Sequence, residues 1–154
     1  MTLAMDRRLT TATGLPEAAA TEESRLNIVV IFTSPDATVA ALKKAGTLAE
    51  SLGAQITLIC PQVVPYPLPL TSPPVLLSFQ ERRFREIAAQ SPVDIRVQLY
   101  LCRDELETLK KVLIPHSIVV IGGRRRWWPT REQRLARKLH GSHEVVFADT
   151  ESML

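Results

Sequence analysis

Residues 26–32 read LNIVVIF, a nearly unbroken apolar run in which β-branched side chains dominate. A run without polar alternation is typical of a strand whose two faces are both buried in a parallel sheet. Ser34, Pro35 and Asp36 follow, and they supply a capping hydroxyl, a proline suited to the first helical position and an acid in the first turn. Apolar residues then recur at helical spacing until Gly53. This stretch therefore predicts a buried strand that leads directly into a helix.

Four further segments have the composition of strands, and helical patterns separate them. The segments are 54–64, 94–101, 117–123 and 144–149. The second of them alternates apolar and polar residues, so it is predicted to lie at a sheet edge with one wetter face. The helix predicted over 75–89 is expected to bury Phe79 and Phe84. Strands that alternate with helices predict an α/β fold: one doubly wound, five-stranded parallel sheet with helices on both faces.

The chain has 154 residues, of which 45% are hydrophobic and 23% are charged, and this suits one domain with a full core. Residues 25–150 are predicted to form that domain, between an N-terminal tail at 1–24 that is expected to be disordered and a short tail at 151–154. No apolar stretch is long enough for a secretory signal or a membrane span, so we expect a cytoplasmic protein that binds no membrane. Cys60 and Cys102 lack the spacing of a metal or redox motif and are expected to be reduced, buried thiols.

Positive charge is concentrated near the C-terminal end of the chain. Residues 122–141 contain seven basic residues and one acid, so this segment carries +6, and the total of +3 leaves −3 for the rest. One interpretation is an anion or nucleic-acid surface, because Trp127 and Trp128 lie beside these cations and could stack bases. Its candidate residues are Arg124, Arg125, Arg126, Arg131, Arg134 and Lys138. The sequence favours the alternative, a solvated helix face with one tryptophan covering the loop, because no nucleic-acid fold signature accompanies it. Nucleic acid is therefore not the expected partner.

Two stretches resemble the universal stress proteins in element order and local phrasing: NIVVIFTSPDATVAALKKAGTLAESLGAQITLICPQVVPYPLPL at 27–70 and IPHSIVVIGGRRR at 114–126. The resemblance covers about residues 26–149. It implies the adenine-nucleotide α-hydrolase-like fold with strand order 3-2-1-4-5, and dimerisation of many members through the last strand. In one branch of the family it also implies ATP held across the ends of strands one and four.

The sequence departs from the pattern of the ATP-binding branch. That branch has a glycine at the end of strand four, a second glycine three residues later, and a Gly-Ser or Gly-Thr pair that opens the last helix. Gly122 or Gly123 can occupy the first position, but the second falls on Arg125 or Arg126. The usual aspartate at the end of strand one is also missing, since residues 32–34 read FTS. A triphosphate needs close approach to bare backbone, and arginine side chains hinder that approach.

Candidate residues for an anion or nucleotide nevertheless follow strands one and four, at the end of the sheet where ligands of such folds bind. They are Thr33, Ser34, Gly122, Gly123 and Arg124. Helix capping explains Ser34 equally well. The sequence contains no nucleophile with a recognisable neighbouring base and no set of metal ligands at plausible spacing, so neither catalysis nor a metal is expected.

The resemblance and its departures together predict a universal-stress-protein-like, non-catalytic stress-response or signalling module with a degenerate ATP site and no cofactor. It is expected to form a homodimer through the last strand, 144–149, and to act through an unidentified protein partner. Two alternatives stay open. The first is a switch protein that binds ATP or a related nucleotide, and the second is binding of nucleic acid or another polyanion through residues 124–138.

Overall fold

The computed structural model describes residues 7–9, 26–91, 93–114 and 117–150. Strands and helices alternate along almost the whole of this part of the chain. In chain order the elements are β1 (Arg7–Leu9), β2 (Asn27–Ile31), α1 (Pro35–Leu52), β3 (Gln55–Val63), α2 (Leu77–Ala89), β4 (Ile95–Cys102), α3 (Glu105–Val112), β5 (Ile118–Gly123), α4 (Arg131–His140) and β6 (Glu144–Asp149). No helix within the described residues is long and apolar enough to cross a membrane.

The sheet has the strand order β1-β4-β3-β2-β5-β6. Strands β2 to β6 are parallel, so the predicted doubly wound sheet with order 3-2-1-4-5 is confirmed. Strand β1 was not predicted: it pairs antiparallel with β4, with Arg7 opposite Leu99. It lies inside the segment 1–24 that was expected to be disordered, and it occupies the edge that β4 was expected to form. The rest of that segment lies outside the described residues, where disorder stays a prediction.

Apolar side chains fill both faces of the sheet, as the continuous apolar runs predict. One cluster joins β2, β3 and β4 to the inner faces of α1 and α2, and a second joins the other face of the sheet to α3 and α4. Phe84 is fully buried and meets Phe32 edge-on, with the ring centroids 4.8 Å apart. The expectation for Phe79 is wrong, since its side chain is 58% exposed. Five residues advance a helix by about 140° beyond a full turn, so Phe79 and Phe84 cannot share one face of α2.

The positions of β2 and β5 determine where a ligand can reach the sheet. These two strands are neighbours at its centre, and the chain leaves them towards opposite edges, to β3 and to β6. Their carboxyl ends therefore flank a topological switch point, the crevice at which ligands bind in open α/β sheets. Helix α1 begins on one side of that crevice, and the loop 124–130 begins on the other.

Candidate functional site

A cleft of about 370 Å³ opens at the switch point. It is lined by Ser34, Asp36, Ala37, Gly123, Arg124, Arg126, Thr130, Glu132 and Thr150. Three of the five residues predicted for an anion or nucleotide, Ser34, Gly123 and Arg124, thus come together here. The other two do not line the cleft; they are joined by a hydrogen bond in which Thr33 Oγ1 donates to the carbonyl of Gly122 at 3.1 Å.

Gly122 and Gly123 are still part of the sheet ladder. They are paired in register with Ala148 and Asp149 of β6. A Cβ added to Gly122 would lie 1.9 Å from the carbonyl oxygen of Ala37, in the first turn of α1. A Cβ added to Gly123 would lie 2.9 Å from Cβ of Glu132 and 3.0 Å from Cζ of Phe147. The two glycines therefore permit α1, α4 and β6 to approach β5 closely, and protein atoms already fill the space beside them.

The carbonyl groups at the end of β5 also have protein partners. The Gly122 carbonyl accepts from Thr33 Oγ1, and the Gly123 carbonyl accepts from the backbone N–H of Thr150 at 3.0 Å. The first residue after the ladder is Arg124, whose side chain is exposed. The residues that directly follow β5 are therefore arginines and not glycines, so their backbone carries bulky side chains.

The N-terminus of α1 is capped as the sequence predicts. Ser34 is the N-cap, and its hydroxyl accepts from the backbone N–H of Ala37 at 3.4 Å. The backbone N–H of Thr33 donates to Thr38 Oγ1 at 3.2 Å. Asp36 lies in the first turn of the helix and lines the cleft, as does Glu132 of α4. These two carboxylates oppose the positive charge of the arginines in the cleft.

The three consecutive arginines diverge to two sides of the loop. Arg124 and Arg126 line the switch-point cleft. Arg125 lies on the other side, with its guanidinium carbon 5.7 Å from the ring centroid of Phe147 in β6. There it closes a groove of about 550 Å³ between α1 and β6, together with Lys43 and Lys44. The arginines therefore lie in two separate places, with the loop between them.

Helix α4 presents fewer free cations than the sequence suggested. It begins with the predicted capping box, in which Thr130 and Gln133 exchange side chain to backbone hydrogen bonds. Arg131 forms an ion pair with Glu105, the first residue of α3, and this hydrogen bond raises the pKa of the arginine. Arg131 thus links two helices. Arg134 and Lys138, the other predicted members of the basic surface on α4, are exposed.

The exposure of the two tryptophans contradicts the favoured interpretation of the sequence, in which one of them covers the loop. Trp127 is 98% exposed and Trp128 is 83% exposed, so neither covers the loop. Both lie at a bend in the middle of the loop 124–130. The bend is followed by Pro129 and by the capping box of α4, which fix the backbone on that side.

Sequence reasoning missed Arg103, which follows β4. Its guanidinium donates to the carbonyl of Val64 at 2.7 Å and to the carbonyl of Leu68 at 2.6 Å. It also lies 4.1 Å from the ring centroid of Tyr66. One side chain thereby holds the proline-rich loop between β3 and α2. A single arginine after a strand has no distinguishing pattern, so the sequence carried no signal for this role.

The two cysteines, Cys60 and Cys102, are free and buried, as predicted. Burial raises the pKa of both thiols, that of Cys60 well above its usual value. Both are therefore protonated at neutral pH, and a protonated thiol is a poor nucleophile.

No family model and no curated protein matches this sequence. Solved structures do match. A universal stress protein from Archaeoglobus fulgidus superposes with a TM-score of 0.51 at 13% sequence identity, over 84% of this chain and 98% of that chain. A universal stress protein in complex with cAMP superposes with a TM-score of 0.50 at 14% identity, over 82% and 98% of the two chains.

The chain has the universal stress protein fold. At these identities the similarity concerns the arrangement of the strands and helices, and it does not extend to the ligand. Within the universal stress protein fold, the switch-point cleft of this chain is lined by one packed glycine, Gly123, and by Arg124 and Arg126.

Proposed function

We propose that this protein is a non-catalytic stress-response or signalling module with the universal stress protein fold and a degenerate nucleotide site. The packing of Gly122 carries the proposal, because the carbonyl of Ala37 lies where any side chain at this position would be, so this glycine serves the close contact between α1 and β5 and does not line the cleft. A polyphosphate cradle is built from several backbone N–H groups that the ligand can approach without side chains in the way. Arg124 and Arg126 stand at the corresponding approach here.

The charge in the cleft supports the same proposal. Arg124 and Arg126 line the cleft together with the carboxylates of Asp36 and Glu132, so the formal charges of the lining cancel. A triphosphate carries several negative charges, and it would need to displace or outweigh both carboxylates. A cleft of this charge suits contact with protein or with a small ligand better than with ATP.

Nucleotide binding separates this proposal from the alternative of a nucleotide switch. We expect no change in melting temperature when millimolar ATP with Mg²⁺ is added, and no nucleotide in mass spectra of the natively purified protein. The same assay should include cAMP, because one structural neighbour was solved in complex with it. A thermal shift that saturates with either nucleotide, or a copurified nucleotide, would support the switch and overturn the degenerate site.

We further propose that the module is a homodimer paired through β6. This strand is an edge of the sheet, and Val145, Val146 and Phe147 are half-exposed in succession along it. Side chains on both faces of an unpaired edge then present apolar surface, which pairing with a second copy would cover.

Val146→Lys is expected to convert the dimer to a monomer in light scattering at micromolar concentration, because a lysine at an edge strand opposes pairing. Val39→Lys on α1 is the matched control, since Val39 is also half-buried against the same core cluster. It should lower stability similarly and leave the dimer intact. A wild-type protein that is monomeric, or a Val146→Lys variant that stays dimeric, contradicts pairing through β6.

A further inference from the structure

Two adjacent, highly exposed tryptophans on one loop indicate an interaction site. Tryptophan is among the most buried side chains on average, and exposed apolar groups that cluster usually mark an interaction site. Trp127 and Trp128 are adjacent, and 98% and 83% of their respective surfaces are exposed. Neither the packing of the core nor the proposed module function uses them.

We propose that the loop 124–130 binds single-stranded nucleic acid, with bases stacked on Trp127 and Trp128 and phosphates held by the arginines around them. This goes beyond the proposed function and rests on a different part of the molecule. Aromatic side chains beside a cationic track are the usual means by which proteins hold single strands without sequence preference.

The positions of the cations match such a strand. Arg125 lies on one side of the loop beside Lys43 and Lys44, and Arg124 and Arg126 lie on the other side, where Asp36 and Glu132 offset part of their charge. Phosphates of a strand that crosses the loop would therefore meet guanidinium groups on both sides, with Arg125 the main contact. Arg134 and Lys138 continue the positive charge along α4. Arg131 does not contribute, because it is paired with Glu105.

Hydrogen bonds also fix both ends of the loop before any ligand binds. The Gly123 carbonyl accepts from the N–H of Thr150 at one end of the loop, and the Thr130 N–H donates to Gln133 Oε1 at 2.9 Å at the other. A loop that is held at both ends loses less conformational freedom when a ligand binds, so more of the contact energy contributes to affinity.

A single strand fits better than a duplex or a membrane. Stacking on an indole needs a base whose face is free, and the bases of a duplex are already stacked on one another. Membrane insertion needs a wider apolar face. Among the described residues 117–150, the two indoles are the only large apolar side chains that are exposed, and arginines surround them.

The emission of the protein provides a direct assay, because its only two tryptophans are Trp127 and Trp128. The full-length protein is titrated at low salt with single-stranded oligodeoxythymidylate of about 12 nucleotides, within the usual site size. We expect saturable quenching of tryptophan emission by the single strand, and clearly weaker quenching by a duplex of the same length.

The variants are compared by fluorescence anisotropy of a labelled single strand. Trp127→Ala with Trp128→Ala is expected to weaken binding about tenfold or more, which corresponds to the loss of stacked bases. Arg124→Ala with Arg125→Ala and Arg126→Ala is expected to make the fall of log affinity with log salt less steep by about 1 to 2. Arg82→Ala with Arg85→Ala and Lys110→Ala removes the same charge from exposed positions on α2 and α3, and should change the affinity little.

Several results would overturn the proposal. They are the absence of quenching by the single strand at low salt, an affinity that the tryptophan variant retains, and equal loss of affinity in the charge-matched control. A blue shift of the emission with phosphatidylserine-containing vesicles, without a response to the single strand, would assign the loop to a membrane surface instead.

Discussion

Gly122→Ala is expected to lower the free energy of unfolding by about 3 kcal/mol, at the upper end of the range for overpacked interiors. The added Cβ would lie 1.9 Å from the Ala37 carbonyl oxygen, so helix α1 or strand β5 must move. Movement would also disturb the hydrogen bond from Thr33 to the Gly122 carbonyl. Urea unfolding measures the loss, and a fall in melting temperature of roughly 10 °C should accompany it.

Gly46→Ala is the matched control, because Gly46 lies inside α1 and a Cβ there meets nothing within 4 Å. The free energy of unfolding of this variant should equal that of the wild type or exceed it by up to about 1 kcal/mol, since alanine favours a helix more than glycine does. A Gly122→Ala variant as stable as the wild type would show that the space beside this glycine is free. The packing argument against a phosphate cradle would then be lost.

Arg103→Ala is expected to lower the free energy of unfolding by about 2 kcal/mol, because two carbonyl groups lose a charged donor. The buried position of Val64 leaves its carbonyl poorly placed for water to replace that donor. The proline-rich loop should open as well, since Leu68 and Tyr66 lose their contacts with the guanidinium. Urea unfolding measures the first effect, and faster chymotryptic cleavage after Leu70, in the same loop and not followed by proline, measures the second.

Two variants test whether the geometry of the guanidinium matters. Arg103→Lys keeps the charge but cannot make both hydrogen bonds in the same fixed geometry, so we expect an intermediate loss. Arg82→Ala removes an exposed arginine on α2 and should change neither stability nor cleavage. Unchanged stability and cleavage in Arg103→Ala would mean that the loop is held by other contacts.

The sheet was predictable because the evidence for it is local and repeated. The apolar runs that became β2 and β5 lack polar alternation, are short and are rich in β-branched residues, and this combination is typical of a strand buried on both faces. Capping signals at Ser34 and Thr130 placed the starts of α1 and α4 correctly. Strand β1 has only three residues and pairs with β4, which is distant in sequence, so no local sequence pattern predicted it.

The candidate site was predictable in part. The sequence placed Ser34 and Arg124 at the switch point, because the ends of neighbouring parallel strands must meet. It could not show that Ala37 fills the space beside Gly122, nor that Glu105 neutralises Arg131, because those contacts join residues distant in sequence. The interpretation that one tryptophan covers the loop was wrong, because whether a side chain is covered depends on the tertiary structure and not on the local sequence.

The account depends most on whether the backbone at the end of β5 can receive a phosphate group. An amide-resolved NMR titration of the ¹⁵N-labelled protein with ATP and Mg²⁺ measures this directly. We expect the amide signals of Gly122 and Gly123 to keep their positions up to millimolar nucleotide. Saturable shifts of both signals would place a triphosphate beside the glycines and contradict the account.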